Sequence, residues 1–281
     1  MRNWLIATRP KTLAVSLCPI LLATGLAAKQ GAFSWRIFSL TLLASILIQI
    51  GTNFANEYYD GKNGTDAHRA ERGTLPSDQV KGAFILTFVA ALGIGLYLST
   101  IGGWPILAIG LVSLLAGYLY TGGPYPLAYH GLGDITVLVF FGPVAVMGTV
   151  YLYTLSWSPL AGIIGLVTGL FGVAILVVNN VRDIETDRAA GKYTLAVKIG
   201  RVASCWQFVL CNLIAAAIPV WYALTYQGSW VCYLVPIGLF SMIRVTHVLF
   251  TQGGDVLNVV MLQNVSFMLS SSIVFAIGLY L

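Results

Sequence analysis

Charged residues are scarce in this sequence: Asp, Glu, Lys and Arg make up 9% of its 281 residues, whereas hydrophobic residues make up 58%. A soluble domain contains about 25% charged residues, so a soluble fold is excluded. The density of apolar runs and the mean hydropathy of +0.84 also exclude a disordered chain, a collagen-like chain and a soluble nucleic-acid-binding domain, despite a net charge of +5. The composition predicts a polytopic membrane protein.

Cysteine and histidine are also few, and their spacing excludes two kinds of site. The 4 cysteines are scattered along the chain without a Cys-x-x-Cys pair, so neither a zinc site nor a disulfide framework is indicated. The 3 histidines show no ligand spacing among themselves. Any metal in this protein is therefore expected to bind oxygen ligands.

Apolar windows long enough to cross about 30 Å of hydrocarbon recur along the whole chain. They lie at approximately 12–28, 35–57, 83–101, 104–121, 134–155, 158–181, 203–226, 230–250 and 256–281. The segments between them alternate between tight turns and long polar or Gly/Pro-rich loops. The sequence therefore predicts an all-α fold of about nine transmembrane helices in a single domain spanning 1–281, with its long loops on one face.

The positive charges fall mainly on one side of this arrangement. Thirteen of the 15 Lys and Arg residues lie on the side of the N-terminus, and only Lys29 and Arg36 lie opposite. By the positive-inside rule the N-terminus and the long loops are cytoplasmic, and nine helices place the C-terminus outside. All ten acidic residues also lie on the cytoplasmic half, an arrangement that a purely structural membrane protein does not need.

The stretch Val178 to Arg188 has the most informative pattern. In a continuous helix Asn179, Asp183 and Asp187, at i, i+4 and i+8, project from nearly one face. Carboxylates at the edge of hydrocarbon are costly unless they are paired or bind cations. A hard ion such as Mg2+ relieves the repulsion between two aspartates and still accepts phosphate oxygens.

A second cluster repeats this pattern earlier in the chain. Asn56 and Asp60 are again four residues apart, and Gly61 and Gly64 permit a turn that brings Asp66 back towards them. Each cluster is followed by a basic loop. Two such clusters facing each other suit a diphosphate held through magnesium ions, with Lys and Arg stabilising the charge on the leaving group.

An allylic diphosphate ionises when its developing charge is neutralised and water is excluded. The chain has 14 Tyr, 13 Phe and 7 Trp residues, so an aromatic-lined cavity is expected around the resulting carbocation. A cavity inside the lipid bilayer accepts a long isoprenoid tail directly.

These residues resemble the UbiA superfamily of intramembrane prenyltransferases, and within it the 1,4-dihydroxy-2-naphthoate prenyltransferases of menaquinone synthesis. The matching stretches are Arg9 to Leu13, Asn53 to Asp66, Tyr120 to Leu127, Gly131 to Asp134, Phe141 to Pro143 and Asn179 to Gly200. They span most of the chain in the family's order.

The resemblance implies nine helices around a central cavity, two Mg2+ ions, a polyprenyl diphosphate donor and an aromatic acceptor whose carboxyl group is lost as CO2. It also implies a bacterial-type inner membrane and no nucleic-acid partner. The implied metal ligands are Asn56, Asp60, Asp66, Asn179, Asp183 and Asp187, of which the four aspartates are also the implied catalytic residues. The implied substrate-binding residues are Lys11, Arg69, Arg72, Arg182 and Lys192 for the diphosphate, and Tyr120 and Asp134 on the acceptor or cation side.

Three alternatives remain open at this point. Another aromatic acceptor, such as 4-hydroxybenzoate, homogentisate or haem, leaves the reaction type unchanged. A secondary transporter uses intramembrane carboxylates as proton or cation sites, but it does not explain the basic loop beside each cluster. A non-catalytic homologue would only bind isoprenoids.

Overall fold

Fourteen α-helices follow one another in the computed structural model, which describes residues 2–62 and 75–281. They are α1 (Arg2–Ala7), α2 (Pro10–Lys29), α3 (Trp35–Lys62), α4 (Ser77–Gly102), α5 (Trp104–Leu119), α6 (Gly133–Val139), α7 (Ala145–Thr154), α8 (Pro159–Arg182), α9 (Ile184–Ala189), α10 (Leu195–Ile199), α11 (Arg201–Tyr226), α12 (Leu234–Ile237), α13 (Leu239–Thr251) and α14 (Val256–Tyr280). Short 3-10 turns at Ala128–His130 and Trp230–Tyr233 and a π-helical turn at Phe140–Val144 complete the helical structure of these ranges.

Eight segments of the described chain are long and apolar enough to cross a membrane. They are Thr12–Lys29, Trp35–Lys62, Ser77–Gly102, Gly133–Thr154, Pro159–Arg182, Arg201–Tyr226, Trp230–Thr251 and Val256–Tyr280. The apolar helix α5 is shorter, with 16 residues, and spans about 24 Å at 1.5 Å per residue. The protein is an integral membrane protein, and the all-α fold predicted from the sequence is confirmed.

Two of the predicted windows are interrupted helices. The window at 134–155 contains a π-helical turn in which Gly142 has non-helical angles (φ −109, ψ −112) and is followed by Pro143. Proline has no N–H to donate, which removes one bond from the helix ladder. The window at 230–250 begins as a 3-10 turn and the short helix α12, which contains Pro236. Hydropathy shows the length of such windows but not these breaks.

Helix α8 lies at the centre of the bundle, packed against α2, α6, α7, α11 and α14. Glycines allow the π-helical turn to approach it closely. A Cβ atom at Gly169 would lie 2.4 Å from the carbonyl oxygen of Leu138, and one at Gly165 would lie 2.8 Å from the backbone of Gly142. Because the two backbones touch, the position of α8 is fixed, and with it the position of the polar residues at its C-terminal end.

Candidate active site

Two adjoining cavities lie within the helical bundle. The polar chamber has a volume of ≈ 370 Å³ and is lined by residues at the ends of α3, α5 and α8 and at the beginning of α6. The apolar chamber has a volume of ≈ 310 Å³ and extends between α2, α3, α4, α5 and α8. Both cavities are lined by the same five residues at their junction: Arg9, Asn56, Tyr120, Leu176 and Asn179.

The polar chamber contains most of the site residues predicted from the sequence. Its lining includes Asn56, Asp60, Tyr120, Asp134, Asn179, Arg182, Asp183, Asp187 and Lys192. The other predicted residues, Asp66, Arg69, Arg72 and the side chain of Lys11, lie outside the part of the chain that the structure describes. Residues separated by more than a hundred positions therefore share one small volume.

The first cluster, Asn56 and Asp60 on α3, is held in place by residues of the loop after α5. The Oδ1 of Asn56 accepts a hydrogen bond from Thr121 Oγ1 at 2.6 Å. The Oδ1 of Asp60 accepts one from the hydroxyl of Tyr129 at 2.8 Å. Both Asn56 and Asp60 are buried. The loop after α5 thus fixes the direction in which the two side chains on α3 present their oxygens.

Lys192 joins the first cluster to the second. Its Nζ lies 3.4 Å from Asp60 Oδ2 and 3.9 Å from Asp187 Oδ1. Its backbone N–H donates to the carbonyl oxygen of Asp187 at 2.8 Å, which closes a turn at the end of α9. A single ammonium group therefore lies between carboxylates of the two clusters.

Arg182 organises the second cluster. Its guanidinium forms a two-pronged ion pair with Asp183, with Nε 2.7 Å from Oδ1 and Nη2 2.6 Å from Oδ2. The same Nη2 donates to Asn179 Oδ1 at 2.8 Å, and Nη1 donates to Asn258 Oδ1 on α14 at 2.5 Å. Arg182 is thus anchored to a helix distant in sequence.

The expectation of one continuous helix through Asp187 is wrong. Helix α8 ends at Arg182, and Asp183 (φ −101, ψ 10) joins it to the short helix α9. The backbone bonds from Asp183 N to Asn179 O and from Asp187 N to Asp183 O nevertheless persist, at 3.2 and 2.8 Å. These bonds preserve the four-residue spacing across the break, so the three side chains still face the same chamber.

The oxygen ligands of the chamber fit a hard divalent cation. Within residues 2–62 and 75–281, no three His, Cys, Asp or Glu side chains form a ready metal site. A Mg2+ site does not require three such side chains, because Mg2+ in proteins typically binds one or two carboxylates together with phosphate oxygens and water. The pairs Asn56/Asp60 and Asn179/Asp183 supply such oxygens from two sides.

The apolar chamber suits a hydrocarbon chain. Its wall is mostly aliphatic, with Phe140, Phe141 and Tyr120 as its aromatic members. The expectation of an aromatic-lined cavity is therefore met only in part, since the other aromatic residues of the described chain line neither chamber. An apolar wall of this kind excludes water from a reaction at the junction.

Tyr120, the residue that follows α5, lies at this junction. Burial, together with the nearby Asp134 carboxyl, raises the pKa of the Tyr120 phenol. The hydroxyl group therefore remains protonated at neutral pH and keeps its capacity to donate a hydrogen bond.

Several lining and supporting residues were not identified from the sequence. Arg9 precedes α2 in a left-handed conformation (φ 51, ψ 59) and lines both chambers. Asn258, Tyr129 and Gln207 support site residues from distant segments. Only Arg9 had a sequence signal, because it lies in the matching stretch Arg9 to Leu13, whereas the other three contacts depend on tertiary structure.

Comparison with known proteins gives consistent matches along most of the chain. The profile of the UbiA prenyltransferase family matches residues 16–271. A 1,4-dihydroxy-2-naphthoate octaprenyltransferase of Mycobacterium tuberculosis is 36% identical over 237 residues, which cover 81% of this chain and 80% of the relative. One from Haemophilus influenzae is 32% identical over an alignment of 297 residues, which covers 99% of this chain and 96% of the relative.

Solved structures support the fold. The structure of a UbiA homolog from Archaeoglobus fulgidus bound to GPP and Mg2+ superposes with a TM-score of 0.69 at 14% sequence identity, covering 99% of both chains. At this level of identity the likeness shows the fold alone.

Proposed function

The chain belongs to the UbiA prenyltransferase family, and from this membership we propose that it transfers a polyprenyl group from polyprenyl diphosphate to 1,4-dihydroxy-2-naphthoate in menaquinone synthesis. That it is a membrane-embedded aromatic prenyltransferase follows from the family. The naphthoate acceptor is supported by the relatives named above. The observation that carries the proposal is the polar chamber, in which two Asn/Asp clusters face each other, opening into an apolar chamber.

The two chambers match the two parts of the donor. The diphosphate lies in the polar chamber, where Arg182 and Lys192 supply positive charge, and the prenyl tail lies in the apolar chamber. The carbon that joins them then lies at the junction, near Arg9 and Tyr120. This placement brings the bond to be broken to the boundary between a charged and a dry environment.

Mg2+ is the proposed cofactor, and the solved relative binds it together with GPP. The residues that would hold it are Asn56, Asp60, Asp66, Asn179, Asp183 and Asp187. Held there, Mg2+ would supply positive charge that offsets the negative charge of the diphosphate. Within the described residues, Lys192 lies beside Asp60 and Asp187, and Arg182 is paired with Asp183.

The reaction needs no protein nucleophile. The carbon–oxygen bond of the allylic diphosphate breaks, and its electron pair leaves with the diphosphate, whose charge Arg182 and Lys192 stabilise. The carboxyl-bearing carbon of the acceptor ring then forms a bond to the prenyl carbon. The bond to the carboxyl group breaks, CO2 leaves, and the electron pair restores the aromatic ring. The acceptor's carboxyl group reacts as the carboxylate anion, so this exchange releases no proton.

We also propose that residues 1–281 form a single domain. Its polar chamber is proposed to face the cytoplasm. The distribution of Lys and Arg supports this orientation.

Diphosphate release from purified protein in detergent tests the function. We expect release that requires a polyprenyl diphosphate, 1,4-dihydroxy-2-naphthoate and Mg2+, and that is abolished by EDTA. Asp183→Asn is expected to reduce release by about a hundredfold or more, because it removes charge stabilisation at the reacting site. Asp78→Asn, at an exposed position in the first turn of α4, is the control.

A panel with 4-hydroxybenzoate and homogentisate identifies the acceptor. Release with one of these compounds but not with the naphthoate would show that the proposed acceptor is wrong, while the proposed prenyltransferase activity would stand. Absence of release from folded protein with every donor and acceptor, together with substrate flux across vesicles, would favour a transporter instead.

A further inference from the structure

Asp134 has a buried carboxyl oxygen that is not satisfied by the protein. The residue is in the first turn of α6, is 8% exposed and lines the polar chamber. Its Oδ1 accepts a hydrogen bond from Gln207 Nε2 on α11 at 2.9 Å. Its Oδ2 has no hydrogen-bond partner among the described residues. A buried polar atom of this kind is costly unless a ligand or water satisfies it.

Asp134 is hydrogen-bonded to a neutral side chain, whereas the aspartates of the two clusters lie beside positively charged ones. Asp60 and Asp187 lie beside the Lys192 ammonium, and Asp183 is paired with Arg182. Asp134 instead receives its hydrogen bond from the neutral amide of Gln207. A diphosphate would be repelled by this carboxyl group, whereas a neutral hydroxyl group complements it by donating a hydrogen bond.

The start of α6, which carries Asp134, lies close to Tyr120 at the junction of the two chambers. A Cβ atom at the preceding residue, Gly133, would lie 3.1 Å from the hydroxyl oxygen of Tyr120. Glycine there lets Tyr120 approach the start of α6, and Tyr120 lines both chambers. A ligand bound to Asp134 therefore has its ring close to the junction.

We propose that Asp134 Oδ2 binds a ring hydroxyl group of the aromatic acceptor, and that Gln207 is a positioning residue that holds the carboxyl group in this orientation. The inference rests on the proposed function, which supplies a hydroxylated acceptor. The hydroxyl group donates its hydrogen bond to Asp134 and keeps its proton. This bond orients the ring and increases its electron density, which favours attack on the prenyl carbon.

Acceptor binding in the absence of donor and Mg2+ tests the subsite. Wild-type protein is titrated with 1,4-dihydroxy-2-naphthoate and with 2-naphthoate, which lacks both hydroxyl groups. Because a hydrogen bond to a charged group is lost, we expect 2-naphthoate to bind about ten- to a hundredfold more weakly. Asp134→Asn is expected to weaken binding of the dihydroxy compound by a similar factor and to leave binding of 2-naphthoate unchanged.

Gln207→Leu gives a second test that keeps the carboxyl group. We expect it to raise the KM for the acceptor by several-fold while the KM for polyprenyl diphosphate stays unchanged. Asn212→Leu is the matched control, because Asn212 is a buried amide on the same helix that lines neither chamber. A general loss of packing would affect both variants alike, whereas a positioning role affects the acceptor KM of Gln207→Leu alone.

The subsite and the proposed function fail separately. Equal affinity of wild-type protein for the two naphthoates would contradict the proposed subsite. So would an Asp134→Asn variant that still binds the dihydroxy compound more tightly than 2-naphthoate by the wild-type factor. In both cases diphosphate release by the wild-type protein would continue. If Asp134→Asn does not fold, an acceptor KM unchanged in Gln207→Leu overturns the subsite. A failure of the proposed function appears instead as absence of metal-dependent diphosphate release from wild-type protein.

Discussion

At the scale of single residues, Lys192 and Arg182 explain how several carboxylates share one chamber. Like charges in a confined volume repel one another. Lys192 lies between Asp60 and Asp187, and Arg182 binds Asp183 and Asn179. Both cations are therefore in place before any substrate arrives, and they can stabilise a diphosphate without a large rearrangement.

Replacing Lys192 tests this role. We expect Lys192→Met to lower the rate of diphosphate release by about a hundred- to a thousandfold, because one preorganised charge next to the leaving group is lost. The measurement is kcat at saturating substrates and Mg2+. Lys198→Met is the matched control, since the Nζ of Lys198 donates to the His130 carbonyl at 2.6 Å and lines neither chamber. Equal kcat values for the two variants would contradict the assigned role.

Many of the chamber residues were predicted from the sequence because they lie close to one another along the chain. Asn56 and Asp60 lie four residues apart on one helix, so their common face is evident from spacing alone. Gln207 and Asn258 gave no such signal, because each meets its partner across 73 and 76 sequence positions, respectively. Arg9 was missed as a chamber residue because its left-handed backbone (φ 51) is not apparent from its residue type.

At the scale of elements, the seam between the π-helical turn and α8 controls the position of the second cluster. Gly165 and Gly169 bring α8 against the backbone of Phe140–Val144. In membrane proteins, small residues at a helix interface commonly let two backbones approach this closely. Because Asn179 and Arg182 lie farther along the same helix, a displacement at the seam is transmitted to the chamber.

Gly169→Ala tests this transmission. The new Cβ atom would lie 2.4 Å from the Leu138 carbonyl oxygen and 3.2 Å from the Gly142 Cα, so the two backbones must separate. We expect a loss of about 1 to 3 kcal/mol in stability and a several-fold decrease in kcat. Thermal unfolding in detergent and diphosphate release measure the two effects.

The control for this variant is Gly93→Ala in α4, where an added Cβ atom has nothing within 4 Å. It is expected to unfold at the wild-type temperature or slightly above, because alanine favours the helix. If Gly169→Ala retained both wild-type stability and wild-type activity, the seam would not determine the position of α8.

The elements themselves were predictable to different degrees. Hydropathy identified the long windows, because a membrane span must be apolar over its whole length. It did not show the break at Asp183 or the π-helical turn, because both depend on a few backbone angles within otherwise helical sequence. The helix α5, at 16 residues, also ends before the predicted window does.

At the scale of the whole molecule, every element that contributes to the polar chamber does so from the same end of the bundle. The beginnings of α2 and α6 and the ends of α3, α5 and α8 meet there. The segment between α13 and α14 joins them through Gly254 and Asp255. This common end is the one that the positive-inside rule predicts to be cytoplasmic.

Cysteine labelling tests that orientation. The 4 native cysteines are buried, so a membrane-impermeant maleimide should label the wild-type protein weakly. Gln30→Cys and Gln252→Cys form a matched pair, because both glutamines are exposed and follow the last residue of a helix, α2 and α13, at opposite ends of the bundle. In intact cells we expect the reagent to label Gln30→Cys only. In inside-out vesicles it should label Gln252→Cys only, because the reagent then meets the end of the bundle that carries the polar chamber. The reverse pattern would place the polar chamber outside the cytoplasm and show that the charge distribution does not set the orientation of this chain.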